Sequence, residues 1–302
     1  MQTYTPLRYP GGKRRLSSVV TNLLEANNFK DIHYVEPYAG GAGLALGLLF
    51  EEYATAIHIN DLSRSVYAFW HSVLNGADEM CERIDKAEIT IKEWRKQREV
   101  YRARATENLN DLGFATLFLN RTNRSGILGG GVIGGLKQTG DWKVDVRFNK
   151  KDIISRIQKI KRHRDRVILT NLDALDFIKN VLPKIPNSFT FFDPPYIQPT
   201  RPLYLNNYEI TDHHRLAEAI SQLKQPWIVT YDGIAVFHKL YSSFRRIVYS
   251  LHFTTHEHHI GQEVMYLSHD LVLPEQKENL VAERMQIVPY KSRFNRKNAI
   301  VR

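Results

Sequence analysis

The chain has 302 residues, 43% hydrophobic and 25% charged, the balance of a globular protein able to bury a sizeable core. Its formal net charge of +10 favours a polyanionic partner, because Lys and Arg that neutralise phosphates release counterions; surplus Lys serving solubility alone is the other reading. A single cysteine, Cys81, excludes an intrachain disulfide and a thiolate metal cage, and the sequence carries neither an apolar run near the roughly 18 residues of a membrane span nor a secretion signal, so a cytoplasmic location is expected.

In chain order, residues 7–13 read as a loop and 14–26 as a helix. His33-Tyr34-Val35-Glu36 has the character of a buried parallel strand, with a helix over 43–53 behind it. A second strand over 56–60 ends at Asp61, with a helix over 62–74. Residues 76–119 keep a helical, charged pattern that no strand interrupts. Between 122 and 148, Gly126, Gly129, Gly130, Gly131, Gly134, Gly135 and Gly140 argue for loops or a hairpin. Strands return at 167–169, 189–192 and 227–231, separated by helices at 174–182 and 212–223. The last two strands, near 246–251 and 264–268, can pair antiparallel. This alternation predicts an α/β fold with a parallel sheet covered on both faces. The helical and glycine-rich segment 76–149 is read as an insertion that divides the main domain into 1–75 and 150–302. There is no internal repeat or low-complexity segment.

Two segments carry chemistry. Val35-Glu36-Pro37-Tyr38-Ala39-Gly40-Gly41-Ala42-Gly43 runs from a strand through a glycine turn into a helix, which lets backbone approach a ligand closely. It is not a dinucleotide fingerprint, because Leu46 stands where the third glycine belongs, and Gly11-Gly12-Lys13 is not a phosphate loop, with Leu7 and Arg14 at its ends. Asp61, about 20 residues after the turn, can accept from both ribose hydroxyls of a nucleoside or cap the following helix. The second segment is Phe191-Phe192-Asp193-Pro194-Pro195-Tyr196. An acid closes a buried strand, two prolines stiffen the turn, and a ring follows. In open α/β sheets ligands bind at this C-terminal edge.

Four blocks in this order, Tyr9-Pro10-Gly11-Gly12-Lys13, Glu36 to Gly43, Phe118-Leu119-Asn120-Arg121-Thr122 and Asp193-Pro194-Pro195-Tyr196, resemble the Dam-like (D12 class) family of DNA adenine N6-methyltransferases, over nearly the whole chain to about residue 268. The resemblance implies a Rossmann-like methyltransferase sheet that binds S-adenosylmethionine (AdoMet), with an inserted target-recognition segment. It implies an AdoMet site built from Tyr9, Lys13, Glu36, Pro37, Ala39, Gly41, Asp61 and Asp173; an N-cap is the other reading of Asp173. It implies that an Asp193 carboxylate oxygen and the Pro194 carbonyl accept the two N–H bonds of an adenine amine, with Tyr196 stacking on a base flipped out of the duplex. The expected partners are double-stranded DNA and, in a restriction–modification setting, a cognate endonuclease, for a monomer or weak dimer. Acceptors in RNA or on protein glutamine, and a non-catalytic DNA-binding relative, are the alternatives.

Within the insertion Arg121, Asn123, Arg124, Lys137, Gln138, Trp142, Arg147 and Asn149 are candidate DNA contacts: Arg for guanine, Asn and Gln for adenine, Lys for phosphate, and Trp142 to fill the gap of a flipped base. About half of them are expected to pack or cap the loop instead. The segment departs here from the GATC-reading hairpin of Dam itself. The basic stretch 91–105 reads as a solvated helix face before a phosphate rail. His252, His256, His258 and His259 lack zinc-type spacing, and no metal is expected. The basic segment 273–302 is either a tail near DNA or a terminus without a role.

Overall fold

A computed structural model describes residues 3–8, 16–196, 208–253, 259–274 and 285–288. Among them an eight-stranded sheet has the order β3-β2-β1-β4-β5-β7-β6-β8. The strands are β1 (Ile32–Glu36), β2 (Ala54–Asn60), β3 (Val167–Thr170), β4 (Ser188–Phe192), β5 (Trp227–Asp232), β6 (Arg245–Phe253), β7 (His259–Leu267) and β8 (Met285–Val288). The first five run parallel. β7 slots antiparallel between β5 and β6, and β8 extends the edge antiparallel to β6. The strand order reverses between β1 and β4, with β2 and β3 added on one side and β5 on the other, which places a crevice at the sheet's C-terminal edge. This is the Rossmann-like methyltransferase arrangement that the sequence predicts; β8 is an addition to it.

Alternation along buried strands sends neighbouring side chains to opposite layers. Tyr34, Phe189, Phe191, Ile228 and Met265 meet the layer built from α1 (Ser17–Ala26), α2 (Gly43–Phe50) and α3 (Arg64–Asn75). Val35, Phe192, Trp227, Val229 and Tyr231 meet α8 (Ala174–Asn180), α9 (Ile210–Ser221) and α10 (Ala235–Leu240).

The middle of the chain adds α4 (Ala77–Lys86), α5 (Ile91–Arg102), α6 (Leu109–Thr122) and α7 (Lys150–Lys161). Their starts follow the sequence: the side chains of Thr90, Asn108 and Asn149 cap α5, α6 and α7. Asn149 is thus engaged as a cap. α6 lies on α3 so closely that a Cβ on Gly113 would stand 2.6 Å from the Ala68 carbonyl oxygen, and only glycine permits that crossing. The core of these helices is continuous with that of α1–α3. Of the loops or hairpin expected within 122–148, the described residues form the loops: the segment runs as turns, with one isolated bridge between Asn123 and Val132. Positive φ at Ser125, Gly126, Gly134, Gly135 and Gln138 bends the backbone out of a ladder.

Candidate active site at the C-terminal edge of the sheet

The register fixes the site. Val35 pairs with Thr190 and Phe192 with Val229, so Asp193 emerges one step beyond β4, next to Thr230. Thr230 Oγ1 donates to Asp193 Oδ1 at 2.9 Å and Tyr196 Oη donates to the same oxygen at 3.2 Å. Burial, with Asp193 next in weight, drives the Tyr196 hydroxyl well above the usual phenol range, so it donates as a neutral group. Its half-buried ring packs at 6.3 Å from Tyr231; it therefore braces the acid as well as standing beside it. Pro194 is buried.

On the neighbouring strand Glu36 is buried, and Glu36 Oε1 accepts the Ala45 N–H at 3.1 Å. Burial pushes its carboxyl up to about 8; the Tyr34 hydroxyl and the Ala45 N–H oppose this, and nearby Asp193 adds to it. At neutral pH Glu36 is mostly protonated. Read from sequence as a cofactor ligand, it lies beneath the glycine turn and supports the start of α2, because the last inward position of β1 faces that helix.

The turn itself is shaped by left-handed backbone and held by neighbouring side chains. Gly40 and Ala42 adopt left-handed φ of 46° and 45°, which for Ala42 is an uncommon conformation. Trp70 Nε1 donates to the Gly40 carbonyl at 2.9 Å. Asp61 closes the other side: Oδ2 accepts the Gly40 N–H at 2.9 Å and Oδ1 the Ser63 N–H at 2.8 Å. Burial lifts Asp61 to about 6 against those two bonds. Pro37, Ala39 and Gly41 are buried in the same turn. After β3, Asp173 caps α8 by accepting the Leu175 N–H at 2.9 Å, the role that a helix-start acid ordinarily plays. Tyr9 and Lys13 lie outside the described residues.

Several residues here carried no distinctive sequence signal. Leu62 and Leu172, on the loops after β2 and β3, stay 44% and 36% exposed beside Asp61 and Asp173, where burial would be the default for leucine. Tyr38 Oη lies 3.0 Å from Tyr208 Oη, and Tyr208 in turn feels the charge of Asp173. Tyr249 Oη donates to buried Glu263 at 2.7 Å. Strand parity alone could have nominated Thr230, as the even position of 227–231 that shares an edge with Asp193.

The candidate DNA contacts divide. Arg121 is buried and its Nε donates to the Pro6 carbonyl at 2.7 Å, with Nη2 on the same oxygen; burial, then Arg156, lowers its pKa to about 10. Asn123 is fully buried, accepting the Trp94 indole N–H at 2.7 Å and donating to the Ile127 and Leu128 carbonyls. Gln138 ties its own loop together through the Ile133 and Gly135 carbonyls and the Val144 N–H. These three are corrected from DNA contacts to internal braces: a turn without a ladder leaves carbonyls that side-chain donors must satisfy. Arg124, Lys137 and Arg147 are exposed, as is Trp142 at 64%, with the Arg147 guanidinium 6.0 Å from its ring centroid. Arg8, passed over in the sequence, is half-buried, and burial, then Arg147, lowers its pKa.

Among the described residues no group of three or more His, Cys, Asp or Glu side chains could hold a metal; His256 and His258 lie outside them, as do the side chains of His252 and His259. No described helix is long and apolar enough to cross a membrane.

No curated protein matches the chain. Among solved structures it is similar to an rRNA methyltransferase, aviRa, from Streptomyces viridochromogenes (12% identity, 86% of this chain and 85% of that one, TM-score 0.36). It is also similar to a conserved hypothetical protein from Streptococcus pyogenes (10% identity, 80% and 88%, TM-score 0.30). The family model for the D12 class N6 adenine-specific DNA methyltransferase matches residues 9–255, from the start of the Tyr9–Lys13 block past the Asp193–Tyr196 turn, and on that match the chain belongs to this family of methyltransferases.

Proposed function

We propose that this methyltransferase methylates the N6 amine of adenine in double-stranded DNA, with AdoMet as donor. The observation that carries the reading is the Asp193 carboxylate at the end of β4, held by two hydroxyls and set one strand from the glycine turn. The residues present suit AdoMet. A left-handed turn brings backbone to the edge, Asp61 offers acceptor capacity for ribose hydroxyls, and the exposed Leu62 and Leu172 offer apolar walls for a nucleoside base. When bound, AdoMet supplies a methyl group on a positively charged sulfur.

The chain's own part follows from amine chemistry. An adenine amine is a weak nucleophile because its lone pair is delocalised into the ring. An acceptor at Asp193 draws on one N–H and the Pro194 carbonyl is positioned in the chain to draw on the other, which pyramidalises the nitrogen and frees its lone pair. Tyr196 and Thr230 occupy Oδ1 and so fix the carboxylate's orientation before substrate arrives, which lowers the cost of reaching reactive geometry. The target amine sits inside the duplex, so the base is extruded, at a cost of a few kcal/mol. Arg124, Lys137, Arg147 and Trp142, with Arg8 beside Arg147, supply the exposed cationic and aromatic surface for the duplex.

The test is methyl incorporation into duplex DNA and into RNA by wild type and Asp193→Ala, with AdoMet affinity measured by calorimetry. Loss of kcat by about 10³-fold or more, with AdoMet affinity within about threefold, is expected on DNA. Wild-type activity in Asp193→Ala would overturn the mechanism, and incorporation into RNA alone would overturn the acceptor.

A further inference from the structure

Asn60 closes β2, directly before Asp61, and is fully buried. Every hydrogen-bonding site of its carboxamide is used. Nδ2 donates to the Pro37 carbonyl at 3.0 Å and to the Leu172 carbonyl at 2.9 Å; Oδ1 accepts from Thr170 Oγ1 at 2.8 Å and from the Leu172 N–H at 2.9 Å. Its backbone carbonyl accepts the Ala39 N–H at 2.9 Å. One side chain therefore joins the loops that follow β1, β2 and β3. Asn171 adds a second tie from the solvent side, donating to the Asp61 and Leu62 carbonyls at 2.6 and 3.1 Å.

We infer that Asn60 is a positioning residue for the donor site: it holds the Pro37–Gly40 turn, the Asp61–Leu62 loop and the Leu172–Asp173 loop at one separation, so that the slot between them exists before AdoMet arrives. This rests on the reading of that edge as the AdoMet site. Three features of the molecule favour it over a purely structural role. Three of the four side-chain bonds go to loop backbone, at Pro37 and Leu172, and the fourth comes from the Thr170 hydroxyl at the end of β3. The same loops present Asp61 and the leucines Leu62 and Leu172, whose apolar side chains stay open to solvent. The amide is saturated with two donors and two acceptors, a pattern that no carboxylate or aliphatic side chain reproduces at this place. A site organised in advance spares the ligand the cost of ordering it.

The experiment compares wild type, Asn60→Ala, Asn60→Asp and Asn171→Ala for AdoMet affinity by calorimetry and for kcat and KM in methyl transfer. Asn60→Ala is expected to raise the AdoMet Kd and KM by about tenfold, which corresponds to about 1.4 kcal/mol, with kcat at saturating AdoMet and the KM for DNA within about threefold. Asn60→Asp, which sets a carboxylate against the Pro37 and Leu172 carbonyls, is expected to lose more. Asn171 is exposed, so Asn171→Ala folds whatever happens to the buried variants; it is expected to raise KM for AdoMet about twofold to fourfold, again sparing kcat. Wild-type AdoMet affinity in Asn60→Ala, or in Asn171→Ala should the Asn60 variants prove insoluble, would overturn the inference, as would a fall in kcat with KM unchanged. Absence of AdoMet binding by the wild type would instead overturn the reading of the site itself.

Discussion

Two glycine-rich regions of this molecule are built on different plans. At the sheet edge, the turn of residues 36–43 is held from outside, by Asn60 on the Pro37 carbonyl and by Asp61 and Trp70 on Gly40, while Asp193 and Thr230 stand at the end of the next two strands. In residues 123–148 the loop's own side chains do the holding: Asn123 and Gln138, with Asn120 from α6, are spent on its carbonyls, while Arg121 of α6 holds the Pro6 carbonyl. Strands that end side by side bring Asn60 and Asp61 within reach of the turn, so the turn needs no side-chain donors of its own, and Asp193 on the next strand is held by the hydroxyls of Tyr196 and Thr230. A turn with no ladder has to recruit its own donors. Hence a polar residue at the edge is a fair candidate for chemistry, whereas one in the loop is first a candidate for structure.

The largest effect that separates the two plans is expected for Arg121. Its guanidinium is the buried partner of the Pro6 carbonyl, in the segment that leads to Tyr9, while Asn120 takes the Arg8 N–H and carbonyl and the Gly126 carbonyl. Arg121→Ala leaves a buried carbonyl unpaired and a cavity beside it, costing about 2–4 kcal/mol, or roughly 3–6 °C in Tm for a chain of this size. Thermal unfolding followed by circular dichroism checks it. A variant with wild-type Tm and weakened DNA binding would return Arg121 to the DNA surface and erase the contrast.

That contrast also explains what could be read without coordinates. The parallel sheet, its antiparallel closing strands and the position of Asp193 follow from period, burial and two prolines, all local signals. The edge of β2 was legible at Asp61 but not at Asn60, because an asparagine one residue earlier looks like any strand end until three loops are seen to meet there. Glu36 shows the same limit: the motif gives the residue, but only the fold shows its bond to the Ala45 N–H and its burial beside Asp193. In the loop, Arg121 and Arg124 are three positions apart and alike in sequence, yet one is buried and the other exposed. Only the location of the unpaired carbonyls tells them apart, and that is a long-range property of the fold.

A smaller effect probes the edge through Glu36. With a folded pKa of about 8 against an ordinary 4.5, the native state keeps a proton that the unfolded chain releases between those values. Stability is therefore full below about pH 4.5, as far as this group is concerned, and declines as pH rises towards 8. Glu36→Gln, which cannot ionise, is expected to flatten that part of the profile and to melt several degrees above wild type near pH 9, with little difference near pH 5. Parallel Tm–pH curves for the two proteins would show that Glu36 is ionised at neutral pH.

The smallest effects belong to the loop's exposed cations. Elsewhere on the surface Arg83, Arg156, Lys161 and Arg166 find carboxylates, whereas Arg124, Lys137 and Arg147 form no ion pair among the described residues. Exposed charge with no ion-pair partner has little folding work to do, so Lys137→Ala and Arg147→Ala should each leave stability within about 0.5 kcal/mol. If these side chains meet phosphates, each substitution weakens binding to every duplex alike and lowers the salt dependence, log K against log salt, by about one unit. Arg147 sits between Arg8 and Trp142, so its loss should also disturb the ring. Trp142 fluorescence on DNA addition should then change less in Arg147→Ala than in Lys137→Ala. Salt slopes equal to that of wild type in both variants would mean that the duplex lies on another face, and that the exposed half of the loop is as structural as the buried half.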